Sequence, residues 1–214
     1  MEETYKYIGL IPARKGSKRV INKNMRNLNG YPLIYWTIKS AKESKLLDDV
    51  YVSTDSPQIE EYARSLGVKV LIRGEDLSND TISLLPVMEH ALKITKADNV
   101  VLLRPTSPIR SKKLIDDCIL SHKNLKADSL ATGFINKELE WPYKNKLIDN
   151  PSHSVKGWFQ NNGSVEIHKN TIIFNKKLGK KNLKYLDDNR LEVDTELDLK
   201  ILDIIMKENN YGRD

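Results

Sequence analysis

The chain has little of what several large functional classes require. Of its 214 residues one is cysteine, Cys118, so an internal disulfide is excluded. A reduced, cytoplasmic setting is the expectation, with Cys118 a small buried apolar residue in a helical pattern that begins near Lys112. No apolar run approaches the ~20 residues of a membrane-spanning helix, and the first residues lack the basic and apolar regions of a secretory signal. Aromatic residues make up 7%. They are not interleaved with a basic stripe, which argues against nucleic acid as a partner. Neither Gly-x-x-x-x-Gly-Lys-Ser/Thr nor Gly-x-Gly-x-x-Gly occurs, so the common nucleotide loops are missing. His90, His122, His153 and His168 have no close metal-ligand spacing; His90 reads as structural and the others as exposed or locally hydrogen-bonded. Ser53 and Ser107 stand near plausible ligand loops, but neither is in a nucleophile elbow. No internal repeat is visible.

What remains is an ordinary folded composition, 39% hydrophobic and 30% charged, with a formal charge of +6. The length allows one sizeable core, and a single domain over 1–214 is expected. Positive charge concentrates from residue 14 to 26. There the apolar run that ends at Pro12 gives way to Arg14, Lys15, Gly16, Ser17, Lys18, Arg19 and Lys23. Backbone amides at Gly16 and Ser17 can face one anion while long basic side chains close on it. A solvated basic turn is the plainer reading of the same residues. The hydrophobic strand before the loop and the helical pattern after it favour the ligand edge of an open α/β sheet.

Strand and helix patterns alternate. Tyr7–Pro12 reads as a strand, and Pro32 opens a helix carrying Leu33, Ile34, Trp36, Thr37, Ile38 and Ala41. Asp49–Asp55 is the second strand, after which Ser56 as N-cap and Pro57 at the first turn begin a helix closed by Gly67. Val68–Ile72 is a strand, 73–81 a loop, and Leu84–Leu92 a helix. Asn99–Leu103 is apolar enough for a central parallel strand. The loop 104–110 leads to a helix capped by Ser111, and Asp128–Phe134 is another strand. This rhythm predicts a doubly wound, mostly parallel α/β sheet. It breaks at 136–162, where Trp141, Tyr143, Trp158 and Phe159 mark an irregular insertion, an arm or lid that needs a covering surface. Ser164–His168 and Thr171–Phe174 resume regular structure, and 179–182 reads as a solvated turn. Leu191 and Val193 fit one face of a short strand with Glu192 and Asp194 on the other. A final helix from Thr195 places Leu197, Ile201, Ile204 and Ile205 on its apolar side and frays after Lys207.

Basic loops of this kind suit chemistry at a nucleotide phosphate, with an oxygen-ligated Mg2+ bridging phosphates and carboxylates. Glu192 and Asp194, two apart, point to one side of a strand and are the metal candidates. A solvated strand face or a pair of helix-start carboxylates is the competing reading.

Ile11–Asn24 resembles the nucleotide-binding opening of the acylneuraminate cytidylyltransferases, the CMP-sialic acid synthetases. The resemblance continues through 29–34, 52–56, Arg73-Gly74, Pro105–Arg110, Asn162-Gly163 and 194–199. It implies a Rossmann-like fold and transfer of CMP from CTP to the anomeric hydroxyl of an acidic nine-carbon sugar, with release of pyrophosphate. Arg14 and Lys23 match the residues that hold the triphosphate and balance the leaving pyrophosphate. Ala13, Gly16, Ser17 and Asn24 help place the nucleotide, and Arg73 and Asp80 lie in the loop expected to touch cytidine or its ribose. Asp194 carries over as the metal ligand, so Arg14, Lys23 and Asp194 are the catalytic candidates and Mg2+ the cofactor. Where the family usually has a second Asp this chain has Glu192, whose longer side chain reaches the metal through a shifted pose or a water. No general base is identified.

The sugar wall departs most from the family pattern. Arg104 replaces a usual Gln, Gln160 replaces an Arg, and Glu166 replaces an aromatic. With Thr106, Ser107 and Asn162 these are the sugar-site candidates. The exchange implies a modified nonulosonic acid such as a legionaminate or pseudaminate as an alternative to N-acetylneuraminate. A shorter acidic sugar such as an octulosonate, or an inactive nucleotide-binding regulator or scaffold, are the other readings. The resemblance also implies a homodimer in which 136–162 contributes to the interface and covers the partner's sugar site.

Overall fold

In the computed structural model the described residues are 6–79, 82–136, 157–187, 189 and 191–212. Asp80, Trp141 and Tyr143 lie outside them, as does most of the expected insertion. Nine strands are described: β1 (Tyr7–Pro12), β2 (Asn27–Leu28), β3 (Tyr31–Pro32), β4 (Asp49–Thr54), β5 (Lys69–Ile72), β6 (Asn99–Leu102), β7 (Ser129–Asn136), β8 (Trp158–Lys169) and β9 (Asn182–Leu186). Helices α1 (Leu33–Glu43), α2 (Pro57–Ser65), α3 (Leu84–Thr95), α4 (Lys112–Asn124), α5 (Asn170–Asn175) and α6 (Glu196–Glu208) connect or follow them.

Seven strands form one sheet in the order β5-β4-β1-β6-β8-β7-β9, and β2 and β3 form a separate two-stranded pair. β1, β4, β5 and β6 pair in parallel, while β8 runs antiparallel to both β6 and β7. The mostly parallel sheet read from the alternation is therefore present, with β8 reversed within it. Both faces of the centre are covered, which is why β1 and β6 are apolar at nearly every position. Ile8, Leu10, Val100 and Leu102 pack under α3 and α5. Tyr7, Ile11, Val101 and Leu103 pack against α1, α2 and α4, where Cys118 is fully buried as expected.

Local signals account for several boundaries. Ser56 caps α2 by accepting from the Ile59 amide, and Pro57 occupies the first turn. Gly67, at φ +72°, then reverses the chain into β5. Ser111 caps α4 through the Leu114 amide.

Six expectations need correction. Pro32 is the N-cap of α1, in extended conformation, rather than its first helical residue. Residues 191–194 are not a strand; Val193 is held by a bond from its amide to Thr106 O (2.8 Å), so the Glu192–Asp194 alternation is not a pleat. The lysine-rich stretch after 179 contains β9, whose Leu183 and Tyr185 turn inward onto the core while their neighbours are exposed. Trp158 and Phe159 belong to β8, opposite Asn136 and Ile135 of β7. On α6 the buried side is Leu199, Leu202 and Met206, packed on Leu28, Leu33 and Trp36. Leu197, Ile201 and Ile204 are exposed. The chain after Lys207 is also anchored, since Asn29 Nδ2 donates to Tyr211 O (2.9 Å) and Tyr211 packs on Trp36.

Candidate active site

β1 lies between β4 and β6, where the chain switches from building one side of the sheet to building the other, and clefts form at the carboxyl ends of such strands. The loops after β1, β5 and β6 converge there on a cleft of about 300 Å³. Arg14, Lys23, Arg73 and Arg104 bring four cations to it, Gly16 and Ser17 line it beside them, and Ile82, Leu84 and Val87 add an apolar wall.

Short-range bonds fix the first loop. Ala13 N donates to Ser53 O (2.9 Å), so Ala13 is fully buried and ties β1 to β4 rather than facing the cleft. Lys15 N donates to Asp55 (2.7 Å), and Asn24 Nδ2 donates to Arg14 O (3.0 Å). Asn24 thus shapes the loop as well as lining the cleft. Arg73 is buried and its Nε has no hydrogen-bond partner among the described residues. Burial lowers its pKa and so does nearby Arg14, whereas Asp55 opposes the shift. An anion in the cleft would relieve that crowding of cations.

The start of α6 closes the other side. Thr195 caps the helix in a reciprocal capping box with Asp198, and the Asp198 carboxylate also accepts from the Asp194 amide (3.0 Å). Arg26 Nη2 pairs with Glu196 (2.9 Å), docking this turn on the basic loop. Asp194 is left exposed, 3.4 Å from Lys23 Nζ and 3.5 Å from Arg19 Nη1. Lys23, whose side chain is only 11% exposed, also donates to Val193 O at 2.7 Å.

Glu192 is half-buried. Its Oε1 accepts from Ser107 Oγ at 3.3 Å. Burial raises its pKa, and the like charge of Asp194 adds to that, while Arg104, Ser107 and Lys23 oppose it. Among the described residues no group of three or more His, Cys, Asp or Glu side chains could hold a metal. A phosphate-bridging Mg2+ needs only one or two carboxylates, the remaining positions going to phosphate and water. Asp194 and Glu192 are the two carboxylates of this turn, the first exposed beside Lys23 and Arg19, the second half-buried, with burial the main cause of its raised pKa.

The sugar-site candidates divide. Arg104 and Thr106 line the cleft. The Arg104 guanidinium pairs with Glu166 Oε1, and Glu166 Oε2 lies 3.6 Å from His168 Nε2. Gln160 is exposed on β8 and accepts from Asn136 Nδ2 at 2.6 Å. Ser107 is fully buried and donates to Asn162 O (3.1 Å). The Asn162 amide is spent within the fold: Oδ1 accepts from Thr132 Oγ1 (2.7 Å) and the Ser164 amide (3.1 Å), and Nδ2 donates to Asp187 Oδ2 (2.7 Å) and Asn189 O (2.9 Å). Ser107 and Asn162 do not line the cleft; their side-chain polar atoms are bonded to neighbouring backbone and side chains within the fold. Next to them Gly163 adopts φ +66°, a conformation side-chain-bearing residues rarely take, which is why glycine stands beside Glu192 Oε1.

Sequence reasoning missed Arg110 and His168. Arg110 is a fully buried guanidinium that donates to Thr37 Oγ1 (3.3 Å), Arg104 O (3.0 Å) and Gly163 O (3.4 Å), joining α1, the loop after β6 and β8. Burial pushes its pKa down to about 9. Its signal was an arginine in a proline-rich loop, which reads equally well as surface. The place of His168 was detectable, since it stands two residues after Glu166 on one strand and therefore shares its face.

Comparison with known proteins places this sequence and fold among relatives. An N-acylneuraminate cytidylyltransferase of Escherichia coli O18:K1:H7 (strain RS218 / NMEC) is 31% identical over 222 residues, covering 96% of this chain and 53% of that protein. A CMP-N,N'-diacetyllegionaminic acid synthase of Legionella pneumophila is 36% identical over 155 residues, covering 70% of this chain and 66% of the relative. The alignments thus span about half to two-thirds of these relatives' lengths. A solved CMP:2-keto-3-deoxy-manno-octonic acid synthetase complexed with CTP superposes with a TM-score of 0.73 over 95% of this chain and 99% of its own, at 16% identity, which speaks for the fold. The family model described as cytidylyltransferase matches residues 8–192, and the chain belongs to that family.

Proposed function

We propose that the protein transfers CMP from CTP to a nonulosonic, sialic-type acid, releasing pyrophosphate and forming a CMP-activated sugar. The observation that carries this reading is the cleft at the carboxyl ends of β1, β5 and β6, where four cations face a carboxylate-bearing turn. The relatives that act on acidic sugars of this class support the choice of acceptor.

In the reaction the acceptor hydroxyl attacks the α-phosphorus of CTP. A new P–O bond forms, the bond to the β-phosphate breaks, pyrophosphate leaves, and the hydroxyl proton passes to solvent. Arg14 and Lys23 hold the triphosphate and neutralise charge as it gathers on the departing pyrophosphate. Gly16 and Ser17 offer backbone amides to the phosphates. Arg73 and the apolar wall at Ile82 and Leu84 receive the nucleoside end. Asp194, with Glu192 beside it, would hold Mg2+, which when bound supplies further neutralisation of phosphate charge. Arg104 meets the acceptor carboxylate, taking over from an arginine absent at Gln160. The working form is a homodimer, and light scattering at micromolar concentration is expected to give twice the chain mass; monomer alone would overturn that part.

The test offers CTP and Mg2+ with N-acetylneuraminate, legionaminate, pseudaminate and an octulosonate, reading pyrophosphate and sugar nucleotide together. Equimolar products with a nine-carbon acid are expected. Turnover confined to the octulosonate would overturn the acceptor class, and no turnover with any acid would overturn the function.

A further inference from the structure

Arg104 is fixed at both ends. Its carbonyl accepts from Arg110 Nη2 and from Thr37 Oγ1 (3.5 Å), and its guanidinium pairs through Nη2 with Glu166. The reversed direction of β8 makes this possible. Glu166 stands opposite Leu102 at the end of β6, so its side chain meets the loop that leaves that strand two residues later. His168 follows on the same face of β8, and its Nδ1 is buried without a hydrogen-bond partner among the described residues. The Glu166 side chain is 13% exposed. Burial alone would raise its pKa, but His168, Arg104 and Asn161 together bring it below the usual carboxylate range. Glu166 is therefore an anion at neutral pH.

Two consequences of this ion pair are physically distinct. Glu166 can cancel the charge of Arg104 and withhold it from any ligand. Alternatively, it can set the guanidinium in place, because an arginine offers five N–H groups and can receive carboxylates on separate edges. The second fits the geometry better. Glu166, which does not itself line the cleft, takes Nη2 while Arg104 still does, and the carbonyl bonds from Arg110 and Thr37 fix the backbone from which the side chain springs. Ordering a long side chain before the ligand arrives removes that entropic cost from binding.

We propose that Glu166, backed by His168, is a positioning residue that holds the Arg104 guanidinium ready for the carboxylate of the acidic acceptor. This rests on the function proposed above. It assigns acceptor selectivity to a three-residue arrangement, Arg104–Glu166–His168, in which only Arg104 touches the sugar acid.

The two roles predict opposite signs. With Glu166→Gln the positioning role raises the acceptor KM by roughly tenfold and leaves the CTP KM unchanged. A cancelling role lowers the acceptor KM, since Arg104 is freed. His168→Gln shifts the acceptor KM the same way by a smaller factor, and Glu166→Asp recovers part of the loss. In an Arg104→Gln background Glu166→Gln adds nothing, because there is no guanidinium left to place. Thermal unfolding of each variant, with CTP binding by calorimetry, establishes that the protein is folded. An acceptor KM that is unchanged or lower in Glu166→Gln overturns the proposal, as does an effect that simply multiplies in the Arg104→Gln background. Wild-type protein that turns over no acid overturns the function itself, and the proposal with it.

Discussion

Replacing Lys23 by Met separates the chemistry of the cleft from its architecture. Methionine keeps most of the apolar stem of Lys23 and removes only the ammonium. In the ligand-free protein the ammonium makes one strong bond, 2.7 Å to Val193 O, and a 3.4 Å ion pair to an Asp194 side chain that is 52% exposed. The ion pair is largely screened by water, so the stability cost is mainly the carbonyl left without its donor, about 1–2 kcal/mol. That is a fraction of the ~5–15 kcal/mol of a typical domain. Loss of a preorganised cation from developing phosphate charge costs far more in rate, on the order of 10²–10³ in kcat. Pyrophosphate release at saturating CTP, measured alongside thermal unfolding, should show that large loss with an unfolding midpoint lowered by only a few degrees. Lys23→Arg keeps the charge and should lose much less. A kcat within threefold of wild type in Lys23→Met would refute the placement of this ammonium at the phosphates.

Asp194→Asn removes the exposed carboxylate of the α6 turn and should raise the Mg2+ concentration for half-maximal turnover by roughly tenfold or more; an unchanged metal titration would place the ion elsewhere. His122, buried against Tyr7 with Oη 3.0 Å from Nδ1, has a pKa pushed down by burial to about 4. The unfolded chain therefore binds a proton that the folded one refuses. Stability is intact above pH ~6.5 and falls by up to ~3 kcal/mol as pH drops through 4, and His122→Phe should flatten that slope in denaturant titrations. Asn162→Ala empties a buried site with four short amide bonds and should cost about 2–4 kcal/mol of stability. Its activity per folded molecule should fall little, and a selective loss of sugar-acid affinity would instead put Asn162 in the cleft.

Where a signal was local, it was legible. The Ser56-Pro57 start of α2 and the Ser111 cap follow from side chains bonding amides three residues on, and the structure places them so. β1 and β6 declared themselves because burial on both faces makes nearly every position apolar. β9 was hidden because it is a short edge strand amid lysines, with Asn182, Lys184 and Leu186 outward and only Leu183 and Tyr185 turned inward. The α6 stripe misled for a different reason. Its exposed Leu197, Ile201 and Ile204 equal in number the residues that pack, and periodicity cannot say which of two apolar faces meets Trp36. In the site, the basic loop and Asp194 were readable because charge clusters in sequence. The Arg104–Glu166 pair joins residues 62 apart, on a loop and a reversed strand, and only the sheet order brings them together. Ser107 and Asn162 look like ligand residues by type, yet they do not line the cleft, and the Ser107 hydroxyl is bonded to Asn162 O and Glu192 Oε1.

Following the phosphorus tests the central claim most directly. Parallel reactions with CTP labelled at the α- or the γ-phosphate, supplied with Mg2+ and a nine-carbon sugar acid, should place all the α label in the sugar nucleotide and all the γ label in pyrophosphate. Label from the γ-phosphate on the sugar, or α label released only as free CMP without a sugar product, would contradict the account.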